Sequence, residues 1–511
     1  MVGGRASVLA LGMLFVIACG SGVRKIRLRD DGGGQGGQGE PAPDDAGGQS
    51  GIPDGLPGGS SPLDSGGAGG AEVASGGAEA QAGSATGGAP SSVPAFALTV
   101  GYHVCALFDA GQVKCWGNNS AGELGLGDTN YRGDQPDEMG AALPAVDLGG
   151  GATVALAGGY EYNCALLETG DVKCWGFGSY GNLGLIPNTF IGDQPGEMGP
   201  ALPSVDLGQG ISVFAIAASL YQTCAILDAG PLKCWGANAH GELGLGDAND
   251  RGDEAGEMGS ALPAVNLGAG RTAVAVTMGF NHTCALLDDA SIKCWGQNDH
   301  GELGQGDIVE RGSQAGDMDA LSAIDLGDGR TALQVSAGVN HTCALLDDQQ
   351  VKCWGDNGAG QLGYGDTNPR GDAPGELGNA LQEVDLGTGR KAVAVSAGAR
   401  HTCVLLDDGH AKCWGANEVG QLGLGDANPR GDEPDELGDA LPEVDVGAGR
   451  AVLSIVAGGA NTCAVLDDGT ARCWGENSFG QLGQGDASAR GDQAGELGDD
   501  LSPVDFGRAQ P

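Results

Sequence analysis

Basic and aromatic residues are scarce in this 511-residue chain: 25 lysines and arginines stand against 67 aspartates and glutamates, a net charge of −42, and only 5% of residues are Phe, Trp or Tyr. So acidic a surface repels phosphates and excludes a nucleic-acid partner. So few rings exclude a large aromatic core. Long apolar runs are missing as well; the longest, Ala6 to Ala18, falls short of the roughly 20 residues that span a bilayer. There is no HExxH, no phosphate loop ending in GK[ST] and no GxSxG, so the chain lacks the usual metal, phosphate and nucleophile signatures of an enzyme. The chain is read as non-enzymatic, with no cofactor expected.

Glycine, 100 residues of it, and a strict period are what the chain has instead. Fourteen of the fifteen cysteines form pairs ten apart: Cys105 and Cys115, Cys164 and Cys174, Cys224 and Cys234, Cys284 and Cys294, Cys343 and Cys353, Cys403 and Cys413, Cys463 and Cys473. Successive pairs are 59 or 60 residues apart, which marks a repeat architecture. A tryptophan follows each second cysteine, from Trp116 to Trp474, one per unit.

The unit HTCVLLDDGHAKCWG, residues 401–415, alternates in period two around a tight turn. Placing Cys403 opposite Cys413 puts Leu405 opposite Ala411 and leaves Asp407-Asp408-Gly409 as a three-residue loop. Such loops want glycine at the left-handed third position. Gly111, Gly170, Gly230 and Gly469 supply it, whereas Ala290 and Gln349 do not. Facing cysteines on one hairpin predict a disulfide; zinc competes poorly, since two ligands fall short of four.

Two more extended pieces precede each hairpin, Glu383–Leu386 and Ala392–Gly398 in the sixth unit. Four short strands in each of seven units predict an all-β fold, a seven-bladed β-propeller of four-stranded blades. The first unit, starting at Pro94, lacks the first piece, and residues 502–507 supply one with nothing after it. The C-terminal strand is therefore expected to join the N-terminal blade and close the ring.

The domain reading is a signal peptide over 1–18, a flexible tether over 19–93 and the propeller over 94–511. Arg5, the short apolar run and Val16-Ile17-Ala18-Cys19 resemble a bacterial lipobox. That resemblance implies a diacylglycerol on Cys19, and Gly20 rather than Asp implies passage to the outer membrane or cell surface. Residues 20–93 are Gly, Ala, Ser, Pro, Gln and acids without one aromatic ring, a composition that cannot offset its ordering entropy. The Arg24–Arg29 basic cluster would sit beside the headgroups.

The composite AG..HTCALLDDG.VKCWG.N..GQLGLGD is similar to the repeat of the regulator of chromosome condensation family, whose members form seven-bladed propellers. The resemblance covers 94–511; the second unit departs from it, with Gly178 for Asn and Pro187 for Asp. It implies nucleotide exchange on a small GTPase, which the export signal, the cysteine pairs and the acidic charge oppose. A secreted relative of the fold that inhibits β-lactamases implies an enzyme-inhibitor alternative. The expectation is a lipid-anchored extracytoplasmic scaffold, monomeric, that binds an envelope or secreted protein, or a glycan, through its loops.

His103, His282, His341 and His401 share one repeat position, His240 and His300 another, and His410 lies in a turn; repetition argues for a structural role. An acidic insertion follows each GQLGLGD. In the sixth unit Asp426, Asn428, Gly431 and Asp432 fall at calcium-hand positions 1, 3, 6 and 7, but Arg430 and Leu437 occupy positions 5 and 12. Calcium is thus a weak expectation, and the Arg430-Gly431-Asp432 triplet reads as a turn. The contact surface is expected on this acidic ring, with no individual binding residue named.

Overall fold

A computed structural model describes residues 96–507, apart from 187, 188 and 229. The signal peptide, Cys19 and the tether lie outside the described residues. Within them the chain forms seven antiparallel sheets, each of an inner, a middle and an outer strand in sequence order. The sixth sheet comprises Ala392–Ala397, His401–Leu406 and Ala411–Gly415. Each inner strand neighbours those of the flanking blades, and Phe96–Val100 meets Val452–Ala457, so the ring is closed.

Every middle strand is buried along its whole length, because neighbouring blades cover both its faces. This explains its near-continuous small and branched apolar run. The expected register holds: Cys403 faces Cys413 and Leu405 faces Ala411. All seven cysteine pairs have Cα atoms 4.1 Å apart and bonded sulfurs, the close spacing of a non-hydrogen-bonded antiparallel pair.

The turn exceptions are conformationally ordinary: Ala290 and Gln349 take the same left-handed backbone, φ 62° and 70°, that Gly409 takes at 82°. A side chain there costs energy that glycine avoids. Ala290→Gly and Gln349→Gly should therefore each stabilise the protein by about 0.5–1 kcal/mol, read as a higher denaturant midpoint at unchanged slope.

The tryptophans key the blades together. Trp414 Nε1 donates to the Gln361 carbonyl of the preceding unit at 3.0 Å, and the other units repeat the bond. Trp116 closes the circle onto Gln481 at 3.0 Å. Two residues before the tryptophan stands a lysine, or Arg472 in the seventh unit, that also binds backbone: Lys233 Nζ donates to the carbonyls of Leu207 and Gly259.

The blades differ from expectation in one respect: they are three-stranded. Glu383–Leu386 touches the outer strand of the preceding sheet through a single backbone bond, Val384 N–H to Val351 C=O, 2.8 Å. The ladder stops there because Asp385 turns its carboxylate onto the Gly387 N–H and the chain bends through left-handed Gly387 and Gly389. The C-terminal segment follows the same rule. Val504 N–H bonds to Ala471 C=O of the last sheet at 2.8 Å, so the segment does not add to the N-terminal sheet as expected. It nevertheless seals the ring. The Phe506 carbonyl accepts from Lys114 Nζ at 2.9 Å, Asp505 C=O accepts from Gly140 N–H, and the Phe506 ring packs against Phe108 and Trp116.

The ring has two distinct ends. Hairpin turns such as Asp407–Gly409 occupy one, and Phe96, paired with Phe108 beside such a turn, enters there. The turns between inner and middle strands and those after each tryptophan occupy the other. In six sheets a bulge interrupts the inner strand near the hairpin end and turns Phe214, Val274, Val393 and Leu453 outward, where they are exposed. Among the described residues no helix is long and apolar enough to cross a membrane.

Candidate functional site

The four repeated histidines belong to a buried belt joining the blades. His282 Nε2 meets Thr342 Oγ1 at 3.1 Å, His341 meets Thr402 at 3.0 Å and His401 meets Thr462 at 2.9 Å. His103 meets Asn163, Tyr162 OH donates to the Gln222 carbonyl, and Asn461 Nδ2 donates to the Gly101 carbonyl. The belt explains the glycine three residues before His282, His341 and His401: a Cβ on Gly398 would lie 2.4 Å from His401 Cε1. Burial holds His103 and His341 down to about 4 and His282 and His401 to about 3. They stay neutral near pH 7, so their role is structural.

A second buried set was not singled out in the sequence. Glu123, Glu242 and Glu302 occupy the place of Gln361, Gln421 and Gln481 and are essentially without solvent contact. Each accepts a backbone N–H two residues earlier, as Gln361, Gln421 and Gln481 do. Burial pushes Glu123 up to about 8 and Glu242 and Glu302 to about 7. With the folded value above the unfolded 4.5, their contribution is fully present below pH 4.5 and is lost as pH rises through 7 to 8. The histidines, held below 6.5, lose theirs as pH falls below 6.5 toward 3–4. The triple variant Glu123→Gln, Glu242→Gln, Glu302→Gln should gain a few kcal/mol at pH 8.5 relative to wild type. Denaturation midpoints against pH should show its alkaline decline flattened and its acid decline unchanged.

The insertions are largely self-satisfied. Asp426 pairs with Arg430 Nη2 at 2.7 Å and accepts the Asn428 N–H, while Glu436 accepts the N–H groups of Gly431 and Glu433. Arg430 also forms a backbone bridge with Gly415, which fits the triplet being a turn. The Asp426 carboxylate is thus engaged by a guanidinium, which weakens the calcium-hand reading. Among the described residues, Asp408, His410 and Glu443 form one cluster with ligand atoms near each other, but Arg390 bonds both carboxylates. His240 Nδ1 contacts Glu310 at 2.6 Å, and the His300 N–H donates to Glu302.

What stands out lies on the end opposite the hairpins. Eight rings form a continuous arc: Tyr131 against Phe479 at 5.4 Å, Phe479 against Tyr102 at 5.7 Å, Tyr102 against Tyr160 at 5.3 Å and Tyr160 against Tyr221 at 6.1 Å. Tyr221 continues to Phe177 and Tyr180 at 5.2 and 4.7 Å, and Phe177 to Phe190 at 5.2 Å. None of the eight is buried: six are partly exposed, and Tyr180 and Phe190 are the most open, at 41% and 40%. Such rings supply rigid contact area at low entropic cost. Glu161 and Glu476 sit among them, half-buried, and burial raises both carboxyls.

Alignment of the seven units on their first cysteine carries the missed signal. Where Tyr102 and Tyr221 stand, other units have Asn281, Asn340, Arg400 and Ala460; where Phe479 and Tyr180 stand, they have Ala121, His240, His300, Ala359 and Val419. The departure is concentrated in the second unit, which also has Ile191 for the insertion's arginine.

Comparison with known proteins agrees with this architecture. The regulator of chromosome condensation (RCC1) repeat matches residues 100–123, 154–182, 273–302, 333–361, 392–421 and 452–481, and a second form of it matches 348–405. The ultraviolet-B receptor UVR8 of Arabidopsis thaliana is 28% identical over 391 residues, 76% of this chain and 78% of the receptor. The human E3 ubiquitin-protein ligase HERC2 is 28% identical over 59% of this chain, but the match spans only 6% of HERC2. The crystal structure of Prp20p from Saccharomyces cerevisiae, described with its binding to Gsp1p and histones, covers 80% of this chain and 87% of its own at 20% identity, with a TM-score of 0.54. The chain is built of RCC1 repeats and belongs to the regulator of chromosome condensation family of propellers.

Proposed function

We propose that this propeller is a non-catalytic binding scaffold, exported and lipid-anchored through Cys19, that holds a protein of the cell envelope or the secreted fraction against its aromatic end. One observation carries the reading. Repeats that agree nearly everywhere else diverge at one end of the ring into eight contiguous rings. Variable residues on a rigid frame are how propellers and other scaffolds present recognition surfaces. The cysteine pairs favour an oxidising compartment, and the −42 charge opposes a nuclear exchange factor working beside nucleic acid.

The test uses the full chain in its oxidised form, exposed to the host's envelope and secreted fractions with and without chelator, followed by hydrogen-exchange footprinting of the captured complex. Expected is a stoichiometric partner, indifferent to chelator, that slows exchange around residues 100–103, 159–162 and 476–480. Protection confined to the hairpin tips, or capture of nothing, overturns the reading. Incorporation of an alkynyl fatty acid, lost in Cys19→Ala, tests the anchor; labelling that persists in the variant would refute it.

A further inference from the structure

We propose that Glu161, framed by Tyr102, Tyr160 and Tyr221, is the seat for an arginine or lysine side chain on a basic segment of the partner protein; this rests on the aromatic end being the binding face. Glu161 holds the repeat position that Asn281, Asn340 and Arg400 hold elsewhere, and no other unit places an acid there. Glu161 follows Tyr160 in the chain and its backbone carbonyl accepts the Phe177 N–H at 2.8 Å, which sets it within the arc; its charge also helps raise the phenols of Tyr102, Tyr160 and Tyr221.

The carboxylate is without a counterion. Among the described residues no lysine, arginine or histidine pairs with Glu161, and its side chain takes part in no hydrogen bond. Glu476, among the same rings, accepts only from Ser478 Oγ, at 3.3 Å, whereas the insertion aspartates of six units are engaged. Asp128, Asp247, Asp307, Asp366, Asp426 and Asp486 each hold the arginine four residues later. The second unit lacks both members of that pair, with Pro187 and Ile191 in their places, so its insertion brings no arginine to this end.

A half-buried carboxylate that has lost water and gained no cation is destabilised until one arrives. Tyrosine faces around it attract the same cation through their quadrupoles, and a guanidinium can stack on a ring while bonding both carboxylate oxygens. A neutral glycan would use the rings but leave Glu161 unpaired. The charge of the whole chain steers a basic partner in the same sense.

The probe is a fluorescent hexa-arginine peptide, titrated by anisotropy into the oxidised full chain at about 0.15 M salt. Glu161→Gln keeps the shape of the side chain and should weaken binding about tenfold. Asp407→Asn removes the same charge at the hairpin end and should change it less than twofold. Tyr221→Leu, which removes a ring and no charge, should also weaken it severalfold. Equal losses in Glu161→Gln and Asp407→Asn, or no hexa-arginine binding, would overturn the proposal. So would a neutral hexasaccharide that binds and competes. In those cases a partner still footprinting to residues 159–162 would leave the binding-face reading standing, whereas loss of that footprint would remove both.

Discussion

Refolded under reducing conditions, the chain is expected to melt about 15–20 °C below its oxidised form. Each cysteine pair closes a hairpin of about eleven residues, worth roughly 2–3 kcal/mol in the chain-entropy account, and the seven together about 15–20 kcal/mol. The bridges lie in buried middle and outer strands with no exposed sulfur, so reductant added to the folded protein should act slowly. Calorimetry should compare oxidised protein with protein reduced in denaturant, alkylated only after melting, and refolded. A melting temperature that does not move would show that the hairpin ladders and the tryptophan bonds suffice.

A stop codon after Leu501 should have the next largest effect. It removes Val504, only 4% exposed in the core shared by the first and last sheets, and the ring of Phe506 from Phe108 and Trp116. It also removes one acceptor of Lys114 Nζ, which keeps the Gly140 carbonyl, and takes the bonds of the Gly140 N–H to Asp505 and of the Ala471 carbonyl to Val504. Lost burial and orphaned polar groups sum to about 4–6 kcal/mol. Hydrogen exchange should accelerate in Phe96–Gly117 and Val452–Gly475 while the sheets between keep their protection. A synthetic peptide of residues 498–507 should restore it in trans. Acceleration spread evenly over all seven sheets would mean that the ring does not open at this seam.

The architecture was legible because the unit is written seven times: period, hairpin register, turn glycines and cysteine pairing all follow from spacing, and Cys403 opposite Cys413 needed only arithmetic. The fourth strand was misread because Val384-Asp385-Leu386 alternates like a strand, and only the fold shows Asp385 capping Gly387 instead of flanking a ladder. The candidate site was largely hidden for the opposite reason. Repetition draws attention to what is shared, such as the histidine belt and the acidic insertions, and both of these serve the scaffold. Tyr102, Tyr160, Tyr221 and Phe479 come from different units and meet only when the ring brings the last blade beside the first. Glu123, Glu242 and Glu302 read as ordinary surface acids until burial is known.

The chain enters at Phe96, beside the hairpin turns, whereas the aromatic arc begins just past Val100, where the same strand ends. A pull between whatever precedes Phe96 and whatever is held at the arc therefore runs along the axis of Phe96–Val100. That strand is laddered antiparallel to His103–Phe108 over its full length. Tension would load this ladder in shear, with all its bonds resisting at once, instead of peeling them one by one. The attachment geometry suits a propeller that must keep hold of a partner under mechanical drag.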